Sequence, residues 1–138
     1  ILKDTVAQTI VEGTSASETL SGWGFIDHLY GFEGNDTING GAGADMLFGG
    51  EGDDTLTGGT GDDTFVFVDG FGSDIVTDFA TGDLIDLTGV ATVTDYADLM
   101  ASHASQVGSD VVINDLAGNT ITIQSVTLSS LSMGDFLV

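Results

Sequence analysis

The feature that most constrains this chain is a nine-residue repeat. From Gly13 onward, six consecutive nonapeptides share a glycine at the first position, an acidic residue at the sixth and a large apolar residue at the eighth. They read GTSASETLS, GWGFIDHLY, GFEGNDTIN, GGAGADMLF, GGEGDDTLT and GGTGDDTFV. A degenerate seventh copy at residues 69–77 is displaced by two residues. This regularity indicates a repeat architecture in which each unit packs mainly on its neighbours.

Each position of the repeat has a physical interpretation. The last three residues of a unit should form a short strand, which sends the eighth side chain inward and its neighbours outward. The first six should form a turn, where glycine permits positive φ angles and close backbone approach. Such a turn aims carbonyl and carboxylate oxygens at one point, which suits Ca²⁺ better than the strictly octahedral Mg²⁺. A flexible Gly/Asp-rich linker, the alternative, would not place a large apolar residue at every ninth position.

The charge balance also favours cation binding. The chain has 22 acidic residues and one basic residue, Lys3, which gives a net charge of −21. Its carboxylates must be solvated, protonated or bound to outside cations, and protonation at neutral pH is costly. Nucleic acid and anionic membranes are disfavoured as partners because they would be repelled. A hydrophobic content of 41% argues against a disordered acidic tail.

The units resemble the glycine-rich RTX nonapeptide G-G-x-G-x-D-x-U-x, in which U is a large apolar residue. The fourth, fifth and sixth units match every fixed position, whereas Phe32, Trp23 and Phe25 replace inner glycines in earlier units. The first unit departs further and has Glu18 for Asp. The resemblance implies an all-β fold, a parallel β-roll (RTX solenoid) of six to seven nonapeptides with two nonapeptides in each coil.

The resemblance also implies that calcium lies between the turns of units n and n+2. Four aspartate pairs follow, and hence about four ions: Asp27 with Asp45, Asp36 with Asp54, Asp45 with Asp63, and Asp54 with Asp74. Glu18 with Asp36 is the weakest candidate pair. The expected metal ligands are Asp27, Gly31, Gly34, Asp36, Gly40, Gly41, Gly43, Asp45, Gly49, Gly50, Gly52, Asp54, Gly58, Gly59, Gly61, Asp63, Asp74 and Asp78.

Residues 74–87, DIVTDFATGDLIDL, resemble a stretch that often follows the repeats in this family. By that resemblance, Asp74 and Asp78 hold a terminal calcium ion. The apolar residues Phe79, Ile85 and Leu87 would pack over the open end of the roll. Two further acids are interpreted only as turn and cap residues: Asp83 and Asp86.

The remaining sequence predicts a C-terminal cap that covers the roll end. Residues 95–105 suit a short helix with Thr94 or Asp95 as its N-cap. Residues 110–126 alternate as a β-hairpin around the turn LAGN. The expected organisation is a lead-in from an upstream domain at residues 1–12, a calcium-binding roll at 13–79, and a cap with a secretion signal at 80–138.

The C-terminus, Asp135-Phe136-Leu137-Val138, resembles the uncleaved signal of type I secreted RTX proteins. The alternative is a strand end that closes the cap. The sequence contains no cysteine, no N-terminal signal peptide and no apolar run of membrane-spanning length. We therefore expect a fragment of a larger secreted, extracellular or cell-surface protein, with a type I transporter and an upstream domain as partners.

No catalytic constellation is evident in the sequence. His28 and His103 are isolated, and the motifs H-E-x-x-H and G-x-S-x-G do not occur. Adjacent acids could serve as a glycosidase pair, but their repeat phase makes the second a metal ligand and the first an outward acid: Asp53-Asp54 and Asp62-Asp63. The sequence predicts that this chain is not itself an enzyme.

Four aromatic residues cluster in the irregular second and third units: Trp23, Phe25, Tyr30 and Phe32. We expect them to contact a preceding domain, and the alternative is that they stack on a sugar. The alternative function for the whole chain is a glycan-binding or adhesion module of a secreted enzyme or adhesin, like the RTX-type modules beside alginate epimerases. The absence of basic residues after Lys3 makes a neutral glycan the better fit.

Overall fold

The structure is a computed structural model that describes residues 8–138. The chain winds as a parallel β-roll and alternates between two sheets. Sheet A, in spatial order, contains β1 (Gln8–Glu12), β3 (Ile26–Glu33), β5 (Met46–Glu51), β7 (Thr64–Val68), β9 (Leu84–Gly89) and β13 (Phe136–Leu137). Sheet B, in spatial order, contains β10 (Ala104–Val107), β11 (Asp110–Asn114), β12 (Thr120–Ile123), β8 (Ser73–Val76), β6 (Thr55–Thr60), β4 (Thr37–Ala42) and β2 (Thr19–Ser21).

The strand register confirms that two nonapeptides make one coil. Leu29 pairs with Leu47 in sheet A, and Ile38 pairs with Leu56 in sheet B, so residues 18 positions apart stack on each other. Strand β2 has the three residues predicted, whereas the later repeat strands are longer, and β4 has six. Pairing continues through the glycines of the following unit, as Gly41 with Gly59 shows.

The eighth residue of each unit lies in the core between the sheets. These side chains are at most 9% exposed: Leu20, Leu29, Ile38, Leu47, Leu56 and Phe65. Burial of each contributes about 2 kcal/mol to folding. The core is one residue deep from each sheet, so apolar burial alone supplies few contacts per ordered residue.

The parallel pairing continues beyond both predicted boundaries of the roll. Strand β1 pairs with β3 within the expected lead-in, and β9 pairs with β7 after residue 79. Ile85 therefore stacks on Phe65 as the next rung of the core, and Leu87 is buried in the same strand. Both residues thus lie on the last complete repeat, as part of a further strand of the roll.

The C-terminal residues complete the two sheets. The predicted hairpin is present as β11 and β12, and it extends sheet B because β12 pairs with β8. Strand β13 pairs with β9 and extends sheet A. The strand edges at this end of the roll are thereby covered.

The predicted helix at residues 95–105 is shorter in the structure. Asp95 caps a single turn, α1 (Tyr96–Asp98), and a π-helical turn follows at Leu99–His103. The N–H of Ala104 donates to the carbonyl of Leu99, and this wide turn buries Leu99 and His103. Residues from Ala104 onward are strand β10, so the prediction was wrong there. No helix within residues 8–138 is long and apolar enough to cross a membrane.

Candidate calcium sites

The sixth-position aspartates form two ladders, one on each edge of the roll where the turns stack. In every rung, the backbone N–H of one aspartate donates to the carboxylate of the aspartate one coil later. The five bonds of 2.7–2.9 Å are Asp27 to Asp45, Asp36 to Asp54, Asp45 to Asp63, Asp54 to Asp74, and Asp63 to Asp83. The structure thus brings together all four pairs that the sequence predicted. The two-residue displacement of the seventh unit does not interrupt its ladder.

These carboxylates are buried, and most retain one oxygen without a hydrogen-bond partner. Six of the ladder aspartates are at most 1% exposed: Asp27, Asp36, Asp45, Asp54, Asp63 and Asp74. The unpartnered buried atoms are Asp27 Oδ1, Asp36 Oδ2, Asp45 Oδ2, Asp54 Oδ2 and Asp74 Oδ2. A buried carboxylate oxygen without a partner is strongly unfavourable. Binding of a cation at each of these oxygens would remove that cost.

The turns leave oxygen-lined space beside these atoms. A Cβ atom built on Gly40 would lie 2.6 Å from both Asp45 Oδ2 and the carbonyl oxygen of Gly58, in the next turn of that edge. The same holds at Gly31, where the added atom would meet Asp36 Oδ2 and the Gly49 carbonyl. Gly31 and Gly40 therefore keep open places where a carboxylate and a carbonyl of the neighbouring turn converge.

The inner glycines are required by backbone geometry as well as by space. Gly61 has φ of 131°, and a Cβ there would collide with the carbonyl oxygen of Gly43. The other predicted inner ligand glycines share this positive φ: Gly34, Gly41, Gly43, Gly50, Gly52 and Gly59. Within residues 8–138, no three acidic or histidine side chains converge on one point. Backbone carbonyls must therefore supply most ligands, as they can for Ca²⁺.

Burial and charge make the ladder carboxylates hard to ionise. Burial raises the pKa of Asp74 to about 8 and those of Asp54 and Asp63 to about 6. Burial is also the largest cause of the raised pKa of Asp45 and of Asp83. The backbone hydrogen bonds of the ladder lower these pKa values, while neighbouring carboxylates raise them further. A bound divalent cation would favour the ionised carboxylates and so oppose the effects of burial and of the neighbouring negative charges.

One end of each ladder differs because the protein itself satisfies the carboxylate there. Asp83 accepts from the N–H of Asp63 at 2.9 Å and from that of Ala80 at 2.8 Å. At the other end, Glu18 accepts both the N–H and the hydroxyl of Thr14. Asp83 was interpreted only as a turn residue, but it is a ladder rung. Its spacing of 20 residues from Asp63, like that of Asp74 from Asp54, is the signal that could have identified it.

The predicted terminal ion held jointly by Asp74 and Asp78 is not supported. Asp74 lies on the edge that contains Asp54, whereas Asp78 accepts from the N–H groups of Gly58 and Gly59, on the opposite edge. Strand β8 runs between the two residues, and at about 3.3 Å per residue it separates them by about 13 Å. Asp78 instead belongs to the edge of Asp63, and its charge contributes to the raised pKa of that residue.

A further set of stacked contacts, made by fifth-position side chains, was missed from the sequence. At the fifth position, the side chain of one turn accepts the backbone N–H of the turn one coil later. Asn35 Oδ1 accepts from Asp53 at 3.0 Å, and Asp53 Oδ1 accepts from Ser73 at 3.0 Å. Asp53, predicted as a merely outward acid, therefore has a structural contact. Short polar side chains at this position could have suggested it, because such groups readily bond to backbone.

Both histidines make structural contacts. His28 lies on the outer surface of sheet A, and its Nε2 is 2.8 Å from Gln8 Nε2. His103 is buried, with Nδ1 2.6 Å from the carbonyl of Asn114 and Nε2 3.4 Å from Asp98. Asp86 was interpreted as a turn or cap residue, but it lies within strand β9, where it pairs with Val66 and accepts from the N–H and hydroxyl of Thr88.

A parallel β-roll whose stacked Gly/Asp turns carry unpartnered buried oxygens defines a class of calcium-binding solenoid. Residues 12–47, 30–65 and 40–76 match the family model of the RTX calcium-binding nonapeptide repeat. The repeat region of this chain belongs to that family, and the chain is a calcium-binding RTX repeat module of the kind found in secreted proteins. A search of curated protein sequences found no significant match.

The fold is shared with solved structures, among them a lipase and two epimerase subunits. The extracellular lipase LipA from Serratia marcescens aligns with a TM-score of 0.82 and 25% identity over 94% of this chain. This chain spans 20% of that lipase. The AlgE6R2 subunit of the Azotobacter vinelandii mannuronan C5-epimerase aligns with a TM-score of 0.69 and 28% identity, over 92% of this chain and 91% of its own length. The AlgE6R3 subunit of the same epimerase aligns with a TM-score of 0.60 and 27% identity, over 94% of this chain and 77% of its own length.

Proposed function

We propose that this module folds when calcium binds after export, and that it carries the secretion signal of a larger extracellular protein. The observation that supports calcium-driven folding is the set of unpartnered buried aspartate oxygens. Residues 4–138 contain no Lys or Arg, so no basic side chain there can neutralise them. Any catalytic activity belongs to another domain of the larger protein.

The number of ions follows from the rungs. In three of the four stacked pairs both aspartates retain an unpartnered oxygen, and in the pair of Asp45 with Asp63 only Asp45 does. These four pairs support about four calcium ions. The Asp63–Asp83 rung differs, because both oxygens of Asp83 already accept hydrogen bonds. Since these ligands come together only in the folded chain, the free energy of calcium binding stabilises the fold directly.

Circular dichroism of the chain in chelator and in millimolar calcium tests this proposal. We expect a β-sheet signal in calcium and its loss in chelator. Magnesium at the same concentration is the matched control, and it should restore little signal because it favours strict octahedral geometry. An equal β-sheet signal in chelator and in calcium would contradict calcium-driven folding.

The C-terminal tail combines a cap with residues that remain accessible. Phe136 is 5% exposed and pairs with Ile85, and Asp135 caps its own turn by accepting from Ser132. Leu137 and Val138 are 42% and 37% exposed. A transporter that reads all four residues would need the unfolded chain, which agrees with folding after export.

Substitutions can separate the two roles of the tail. The double variant L137S/V138S changes exposed side chains, so we expect calcium-dependent folding to persist while secretion through a cognate type I transporter falls. The control M133S alters a neighbouring side chain that is 70% exposed, and it should be exported normally. If L137S/V138S is exported as well as the unmodified chain, the tail serves only as a cap.

A cavity of about 320 Å³ between the roll and the cap favours glycan binding as the second candidate function. Its lining includes an aromatic ring, hydroxyl groups and a carboxylate, contributed by Phe79, Thr81, Thr127, Ser130 and Asp135. Such a combination suits a neutral sugar. Calorimetric titration of the calcium-loaded chain with neutral oligosaccharides tests it, and absence of heat with every sugar would eliminate this candidate.

A further inference from the structure

The outer surfaces of the two sheets have different chemistry, although the same repeat positions form them. On sheet A the outward seventh and ninth positions are mainly apolar: His28, Tyr30, Met46, Phe48, Thr64 and Val66. On sheet B they are hydroxyl or amide residues: Thr19, Ser21, Thr37, Asn39, Thr55 and Thr57. Folding of the repeat does not require this separation, because sheet B forms the same strands with polar residues outside.

The outer surface of sheet A is mainly apolar and lacks acidic residues across its centre. Strand register aligns Ile10, His28, Met46, Thr64 and Leu84 in one row, and Tyr30, Phe48 and Val66 in the next. We call these eight residues the sheet A face. Within these two rows, acidic residues occur only at the ends of the second, as Glu12 and Asp86. In a chain of net charge −21, this is an apolar area of the kind that marks an interaction site.

The orientation of its aromatic rings favours a protein partner over a sugar. The rings of Tyr30 and Phe48 stack at 4.4 Å with 14° between their planes, and Phe32 stacks on Tyr30 at 6.2 Å. Because Tyr30 and Phe48 stack across neighbouring strands, their ring faces point along the sheet and their edges point outward. A sugar would bind to the ring faces, and the faces that Tyr30 and Phe48 turn toward each other are already occupied. Apolar side chains of another protein can instead pack between the outward edges.

Charge restricts the partner further. A second copy of this chain would also carry −21, and an anionic membrane would be repelled. The first described strand, β1, is the edge strand of sheet A and contributes Ile10 to this face. We propose that the sheet A face docks onto an apolar surface of the domain that precedes the module in the same polypeptide. This inference rests on the proposed function, which makes the module part of a larger protein.

Methionine oxidation measures this contact directly. Met46 is half-buried on the sheet A face, whereas Met133 in the cap is 70% exposed and serves as an internal control. With calcium present, hydrogen peroxide would oxidise both side chains to the sulfoxide and would itself be reduced to water. In the larger protein, Met46 should react about tenfold or more slowly than in the 138-residue chain, because a docked domain excludes the oxidant. Met133 should react equally in both.

A double substitution provides a second test. M46T/F48T gives the fourth unit the sequence D-T-L-T of the fifth, which already forms a strand of this roll. We expect its calcium-dependent circular dichroism to be preserved, while small-angle scattering of the larger protein shows a more extended particle. The control T37V/N39V on sheet B should leave the scattering unchanged.

Three results would overturn the docking proposal, and they are distinguishable. Equal Met46 oxidation in the chain and the larger protein would show that nothing covers the face. A dimeric mass of the isolated chain in calcium would identify a second copy as the occupant. If calcium does not fold the chain, both Met46 and Met133 will react at unfolded-chain rates in calcium, and the proposed function fails together with the docking proposal.

Discussion

Replacement of Asp54 by asparagine should have opposite effects with and without calcium. Asp54 occupies the centre of its ladder, where Oδ1 accepts from the N–H of Asp36 and Oδ2 is buried without a partner. The amide oxygen of asparagine can preserve the first contact. The substitution removes the buried negative charge and one calcium ligand.

The expected magnitude without calcium follows from the pKa of Asp54. Burial raises this pKa from 3.8 to about 6, and the side chain is 1% exposed. At about 1.4 kcal/mol for each tenfold change in acid constant, ionisation of Asp54 opposes folding at pH 7 by about 3 kcal/mol. D54N should remove most of that cost in chelator. In calcium it should instead weaken the two sites that Asp54 shares with Asp36 and Asp74.

The assay follows folding by circular dichroism in chelator with increasing sucrose, which favours compact states, and separately with increasing calcium. D54N should fold at a lower sucrose concentration and at a higher calcium concentration than the unmodified chain. The control D53N removes the same charge at an exposed neighbour whose Oδ1 contact to Ser73 can be preserved, so both midpoints should shift little. If D54N requires more sucrose than the unmodified chain, the buried charge does not oppose folding and the reasoning is refuted.

Two further perturbations follow from the same sites. Without calcium, the fold should lose stability as the pH rises through the raised pKa values, which are about 6 for Asp54 and Asp63 and about 8 for Asp74. The β-sheet signal in chelator should therefore increase from pH 8 to pH 4. A flat or falling signal would contradict this. G49A should weaken calcium binding in a calorimetric titration because the added methyl group collides with the Asp54 carboxylate. The control G24A should bind normally, since its methyl group meets no atom within 4 Å. Equal calcium affinities of the two variants would show that the space beside Gly49 is not used.

The repeat itself made the coil predictable. Glycine, aspartate and an apolar residue at fixed positions determine the turn, the rung and the buried side chain, so the pairing of Asp36 with Asp54 follows from counting alone. The cap hairpin was predictable for a similar reason, because alternating residues such as Val111 and Ile113 are buried where period two places them.

Other features depend on contacts between distant parts of the chain. Asp83 becomes a rung because it stacks on Asp63, although the residues around it no longer match the nonapeptide. Asp74 and Asp78 are close in sequence but lie on opposite edges, which only the path of β8 reveals. The π-helical turn ending at His103 depends on tertiary packing of the cap, which overrides local helix preference.

The most direct test of the central claim is the anomalous diffraction of crystals grown in calcium. We expect anomalous peaks on both edges of the roll, between the stacked aspartate turns, with oxygen ligands at about 2.3–2.6 Å. The strongest peaks should lie between three pairs of turns, which end at these aspartates: Asp36 and Asp54, Asp54 and Asp74, and Asp45 and Asp63. A folded roll in millimolar calcium with no peaks in the turns at residues 40–45 and 49–54 would contradict the account.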